Sequence, residues 1–304
     1  MQADKEQDIF AYKQSELLSC INHTEGKLGV VGVPLQLGMY EQLPLWAGFF
    51  ESLGFKVVLS DNLPCNITSA NMSCYPAKLM RGHIESLLDK GVDFIFLPCE
   101  SFNLNEHRLS HNFICSFVAY YPELLRTENE RLNEYNFISP YIDFNIRKDT
   151  VIKLYESLKI FGVNKREVSK ALKEGYNRLK IYRRNIQNKA REILTKAQEE
   201  SRQVLVLAGR PYHLDNKINH EINKLLVARG FVVLSEDSVY KSGDNAISQW
   251  LYQERLFNAA EFAVKNKNVN FVQLISLGCE FDEITSTEIR YILESNGKPY
   301  TQIV

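Results

Sequence analysis

The chain has 304 residues, 45% hydrophobic and 24% charged, with a formal net charge of −1. That length bounds about two domains, each able to bury its own core, and the near-neutral balance supplies no overall field for nucleic acid or an anionic membrane. No apolar run reaches the roughly 18 residues of a spanning helix, and the polar start MQADKEQDIFAYKQ lacks the apolar stretch of a signal peptide, so a cytoplasmic location is expected.

Residues 1–26 read as a lead-in, helical over 5–22. An α/β lobe is expected over 27–149. GKLGVVGVP is a buried strand, 40–53 a helix ending at Gly54, and FKVVLS a second strand; 76–90 is an amphipathic helix with Pro76 in its first turn, and VDFIFLPC a third strand. Residues 150–202 form a helical connector whose stretch 164–202 holds 12 Lys/Arg against 5 Glu, read as a solvated helix rather than a docking face. A second lobe follows over 203–304. It has strands in VLVLAG, FVVLS, NFVQLIS and PYTQI, and helices over 217–229, 246–266 and 285–296. Strands alternating with helices predict parallel sheets with right-handed crossovers, with ligands beyond the carboxyl ends of the strands.

The two lobes align on each other at an offset of about 177. Gly32 and Pro34 fall on Gly209 and Pro211, and Val92 and Phe94 on Val269 and Phe271. One residue out of step, GFKVVLSD matches GFVVLSED. After the third apolar run comes Cys99-Glu100 in one copy and Cys279-Glu280 in the other. In a cytoplasmic chain, six cysteines read as metal ligands or small buried hydrophobes rather than disulfides. Cys74, Cys99, Cys115 and Cys279 sit at loop or strand-end positions, and their thiolates suit an iron–sulfur cluster or zinc. Their spacings of 25, 16 and 164 residues match no zinc ribbon or ferredoxin pattern, so any such site is assembled by the fold. Simple burial of free thiols is the competing reading. Cys20 and Cys65 read as bystanders.

AGRPYHLDNKINHEI crowds Arg210, Tyr212, His213, Asn219 and His220 into the first turn after a strand, where a helix N-terminus favours a phosphate or carboxylate. Helix capping is the alternative. Lys78 and His83 lie beside Cys74 and would hold an anion or stabilise a thiolate, or else form a wet helix face. His107 and His111 have metal-compatible spacing but a very polar setting. Glu100 and Glu280 are expected as supporting groups behind the thiols. Neither GxGxxG nor a Walker loop is present.

Taken together, Gly32-Val33-Pro34, Met39-Tyr40, Trp46, Cys74-Tyr75-Pro76, Gly82-His83, Leu97-Pro98-Cys99 and Tyr121-Pro122-Glu123 resemble the acyl-CoA dehydratase activase-related proteins. Gly209-Arg210-Pro211-Tyr212-His213, Asn219-His220, Glu236-Asp237-Ser238, Gly278-Cys279 and Gly297-Lys298-Pro299-Tyr300 extend the resemblance, which runs from about residue 27 to 304. These proteins belong with the 2-hydroxyacyl-CoA (2-hydroxyglutaryl-CoA) dehydratase superfamily. The resemblance implies two duplicated Rossmann-like or flavodoxin-like lobes joined by a helical segment. It also implies a 4Fe-4S cluster held by Cys74, Cys99, Cys115 and Cys279. Low-potential electron transfer, or dehydration of an acyl-CoA through a ketyl radical, would follow. An ATPase activase domain or dehydratase subunits are the implied partners. Two features depart from the pattern. Glu280 stands where the family shows glycine after the last cysteine, and no ATPase segment precedes this region, so an excised module is expected from the end at PYTQIV. The other functional classes are a non-enzymatic two-lobe module binding a ligand or partner without a cluster, and a zinc-stabilised scaffold.

Overall fold

The computed structural model describes residues 6–22, 24–61, 74–103, 112–240 and 248–304. In chain order the elements are α1 (Ile9–Ser19), β1 (Val30–Val33), α2 (Met39–Leu53), β2 (Lys56–Leu59), α3 (Tyr75–Asp89), β3 (Phe94–Phe96) and β4 (Cys99–Phe102). Then come α4 (Ser116–Glu128), β5 (Phe137–Ile138), β6 (Tyr141–Asp143), α5 (Arg147–Leu158), α6 (Lys165–Glu199) and β7 (Val204–Ala208). The last are α7 (Ile222–Ala228), β8 (Val232–Ser235), α8 (Glu236–Val239), α9 (Leu251–Lys265), β9 (Val269–Leu274), α10 (Glu280–Glu294) and β10 (Gln302–Ile303). They form two compact units. One comprises Leu17–Ile181, the other residues 6–16 with Tyr182–Val304, and the two boundaries fall inside α1 and α6.

The unit of residues 17–181 is built on a parallel sheet of order β2-β1-β3-β5. Its strands are short apolar runs buried among rings. Trp46 meets Phe96 at 4.7 Å, Phe50 meets Phe96 at 4.8 Å, and Phe55 meets Phe94 at 5.4 Å, all in edge-to-face geometry. Helix α2 stops at Gly54 as its sequence predicts, with φ of 105° closing the last turn back onto Phe50 and Glu51. The third apolar run does not continue to Cys99. Pro98 has no N–H to offer a ladder, β3 ends at Phe96, and Cys99 opens β4, which pairs with β6 in a separate two-stranded sheet.

The second unit repeats the plan with a parallel sheet of order β10-β9-β7-β8. Numbered within each sheet, both units have strand order 2-1-3-4, the beginning of the flavodoxin order. The duplication seen in the sequence is therefore a duplication of topology. Three helices of this unit start away from their predicted positions, and the one expected over 246–266 begins at Leu251, after Trp250 in extended backbone. The one expected over 217–229 begins only at Ile222, because His220 and Glu221 adopt φ of 51° and 56°. The one expected over 285–296 begins at Glu280, because Cys279 takes its N-cap and Glu280, Asp282 and Glu283 fill a first turn that favours negative charge. No helix among the described residues is long and apolar enough to cross a membrane.

Candidate functional site

In a parallel sheet of this order the crevice forms where strands 1 and 3 diverge into their crossovers. In the unit of residues 17–181 these are the segments after β1 and β3. Leu37 and Gly38 from the first, and Leu97, Pro98 and Glu100 from the second, line a cavity of about 20 Å³, closed by Gln42, Met80 and Tyr121. That volume holds about one water. Glu100 is 5% exposed. Its Oε2 accepts a hydrogen bond from Gln42 Nε2 at 2.5 Å, and Gln42 Oε1 accepts one from Trp46 Nε1 at 2.9 Å. Its Oε1 has no hydrogen-bond partner among the described residues. Burial pushes the Glu100 carboxyl up to about 8.

Three of the four thiols belong to this unit. Cys74 is the N-cap of α3 and Cys115 the N-cap of α4, both half-buried, and Cys99 is 1% exposed. Burial, then the Glu123 carboxylate, pushes the Cys99 thiol up to about 12, which keeps it protonated unless a cation comes to it. Cys74 lies near enough to Tyr121 to help raise that phenol to about 12, though burial is the larger cause. His83 is buried on α3, its Nδ1 2.7 Å from Ser60 Oγ, which itself accepts a hydrogen bond from the Leu35 N–H at 2.8 Å. Lys78 is half-buried one turn into the same helix.

In the second unit the equivalent segments follow β7 and β9, and they carry charge. Arg210 Nη2 lies 2.7 Å from Asp282 Oδ1, and Arg210 Nε donates to the same oxygen at 2.9 Å. Asp282 Oδ2 accepts from the Ser276 N–H at 3.1 Å. Burial opposes the guanidinium charge, but Asp282, Tyr212 and the nearby Cys279 side chain more than offset it, so Arg210 stays charged. His213 Nδ1 accepts the Arg210 backbone N–H at 2.8 Å, which leaves the proton on Nε2, 3.2 Å from Ser276 Oγ; that hydroxyl lies 2.9 Å from Tyr212 Oη. Burial lowers the His213 pKa to about 4. Asn219 Nδ2 donates to the His213 carbonyl at 2.8 Å. The close turn needs Gly209, since a Cβ there would meet His213 Nδ1 at 2.3 Å.

Arg210, Tyr212, His213 and Asn219 thus join in one buried network, with Cys279 half-buried beside it as the N-cap of α10. His220 is exposed. The two Cys-Glu pairs diverge locally: Cys99-Glu100 opens a strand and buries its acid, whereas Cys279-Glu280 opens a helix and exposes it. Sequence reasoning missed Gln42, Trp46, Ser276 and Asp282. Asp282 was detectable only as an acid in the first turn after Cys279. Cys65, His107 and His111 lie outside the described residues.

Residues 30–239 match the family described as CoA enzyme activase uncharacterised domain (DUF2229). The chain belongs to this family. Among curated proteins none matches it. For this activase-family chain the chemistry of the four thiols suits a soft metal centre. Their arrangement does not yet make one, because no group of three or more His, Cys, Asp or Glu side chains among the described residues is placed to hold a metal ion.

Proposed function

We propose that this activase-family chain is an iron–sulfur module that carries low-potential electrons for acyl-CoA dehydration, working with an ATPase activase domain or with dehydratase subunits. The observation that carries the reading is the placement of three of the four thiols: Cys74, Cys115 and Cys279 each stand at the N-cap of a helix. A helix N-terminus lowers the cost of a thiolate and of an anionic metal–sulfide core. Cys99, its thiol pushed up by burial, gives up its proton only when a metal comes to it. An acyl-CoA, if bound, would find Lys78 and His220 more accessible than Arg210, whose charge Asp282 already matches.

Anaerobic reconstitution with iron and sulfide tests the proposal. The expected product holds about four irons and four sulfides per chain. Cys→Ser changes at positions 74, 99, 115 and 279 should each lower that content, whereas Cys20→Ser should not. One zinc in place of iron would favour a zinc-stabilised scaffold. A chain that takes up no metal and still binds acyl-CoA in calorimetry would favour a plain ligand-binding module.

A further inference from the structure

The later turns of α6 close one side of a cavity of about 340 Å³. Its walls are Ala190 and Leu194 from α6, Leu234 from β8, Val239 and Tyr240 at the end of α8, and Phe262 from α9. All its lining residues lie within Tyr182–Val304, so the site is complete in one unit. Small-molecule sites run from roughly 300 to 1,000 Å³ and have mostly apolar walls with a few polar groups that fix orientation. Two such groups are open here. Arg191 donates from Nε to the Gln187 carbonyl at 3.3 Å and from Nη2 to Asn188 Oδ1 at 3.1 Å; its other N–H groups have no partner among the described residues. The Gln187 side-chain amide makes no hydrogen bond among the described residues. Ser238, by contrast, gives its hydroxyl to the Ser235 carbonyl at 2.7 Å. Among the described residues no carboxylate lines the cavity, and the acids beside its lining residues are engaged elsewhere. Glu192 pairs with Lys189 at 3.1 Å, Asp237 with Lys13 at 2.7 Å, and Glu261 with Lys265 at 2.8 Å.

We propose that this cavity binds a small monocarboxylate with an apolar body, a chain of about six to ten carbons whose head meets Arg191 at the rim. Burial of the chain against aliphatic and aromatic walls supplies the affinity. The guanidinium supplies the orientation, through paired N–H bonds to the two carboxylate oxygens. One cation with no acid beside it matches one negative charge, whereas a phosphate dianion leaves a charge unmatched. A nucleotide needs donors and acceptors along its length, which these walls do not have. None of the four thiols lines the cavity, so this site is separate from the proposed metal chemistry.

Isothermal titration calorimetry on the full, metal-free chain tests this, with octanoate against its neutral counterpart octanamide. Octanoate should saturate a single site per chain and bind about fivefold tighter than octanamide. Arg191→Gln, at an exposed position, should remove that preference and leave octanamide binding unchanged. Leu194→Trp fills the cavity from a half-buried position and should weaken both ligands about tenfold or more. A charge-matched control, Arg229→Gln, exposed and outside the lining, should change neither. If Leu194→Trp disturbs the circular dichroism spectrum, Leu194→Ala should still weaken octanoate severalfold by removing wall contacts. Equal binding of octanoate and octanamide by the unsubstituted chain overturns the proposal, as does an Arg191→Gln chain that keeps the preference. So does octanoate binding that both Leu194 changes leave unmoved, tighter binding of octyl phosphate, or no saturable octanoate binding up to about 10 mM.

Discussion

The two sheets share one strand order and spend the same topological position on different chemistry. After β1 and β3 the crevice of one unit keeps a water-sized cavity, closed by neutral hydrogen bonds from Gln42 and by aromatic packing. After β7 and β9 the corresponding crevice is filled by the Arg210–Asp282 ion pair and the His213–Ser276–Tyr212 chain. Duplication preserves what backbone geometry dictates, namely parallel pairing and crossover order. It leaves the loops at the carboxyl ends free to diverge, because those loops carry no ladder that the sheet must keep.

The comparison breaks most sharply at Asp282. Asp282→Ala leaves a buried guanidinium without its counter-charge and should cost about 3–5 kcal/mol, read by urea unfolding. A smaller loss, with the unfolding midpoint unmoved, would mean that the ion pair does not hold this unit together. The next effect has opposite signs in the two units. Unfolded, the His213 imidazole takes a proton near 6.5, and folded only near about 4. The unfolded state binds more protons in that window, so this contribution is complete above 6.5 and is lost as pH falls toward about 4. Glu100 runs the other way: it is protonated below 4.5 unfolded and below about 8 folded, so its contribution is complete in acid and is lost as pH rises toward about 8. The acid limb is worth up to roughly 3 kcal/mol and the alkaline limb up to roughly 5 kcal/mol. His213→Gln should flatten the acid limb and Glu100→Gln the alkaline one, in denaturant midpoints measured from pH 4 to 9.

Smaller changes sharpen the contrast. Gly209→Ala drives a methyl into His213 and breaks its bond from the Arg210 N–H, at a cost of about 2 kcal/mol. Far-ultraviolet circular dichroism during thermal melting would record it as a lower Tm without loss of helix at low temperature. Trp46→Phe keeps a ring in the aromatic cluster but removes the N–H that Gln42 Oε1 accepts, and should cost about 1 kcal/mol. An unchanged Tm would place the stability of that unit in ring packing alone.

Much of the fold was legible in the chain. Parallel strands buried on both faces appear as short continuous apolar runs, and Gly54 and Gly230 mark helix ends by their positive φ. Less visible were departures set by single residues. Pro98 divides one apolar run into β3 and β4, and His220 and Glu221 delay α7 by adopting left-handed backbone. The Arg210–His213 turn was legible as a polar crowd; that it closes inward on itself was not.

Sequence alone determined the duplicated α/β plan, the alternation of strands and helices, and the cationic composition of the connector, because apolar periodicity and capping act over a few neighbouring residues. Tertiary structure decided the rest. It paired Arg210 with an aspartate 72 residues away and Glu100 with a glutamine 58 residues away. A buried polar or charged group is stabilised only by a partner brought within hydrogen-bonding distance, and which side chain that is depends on how the crossovers return the chain, not on what stands beside it in sequence.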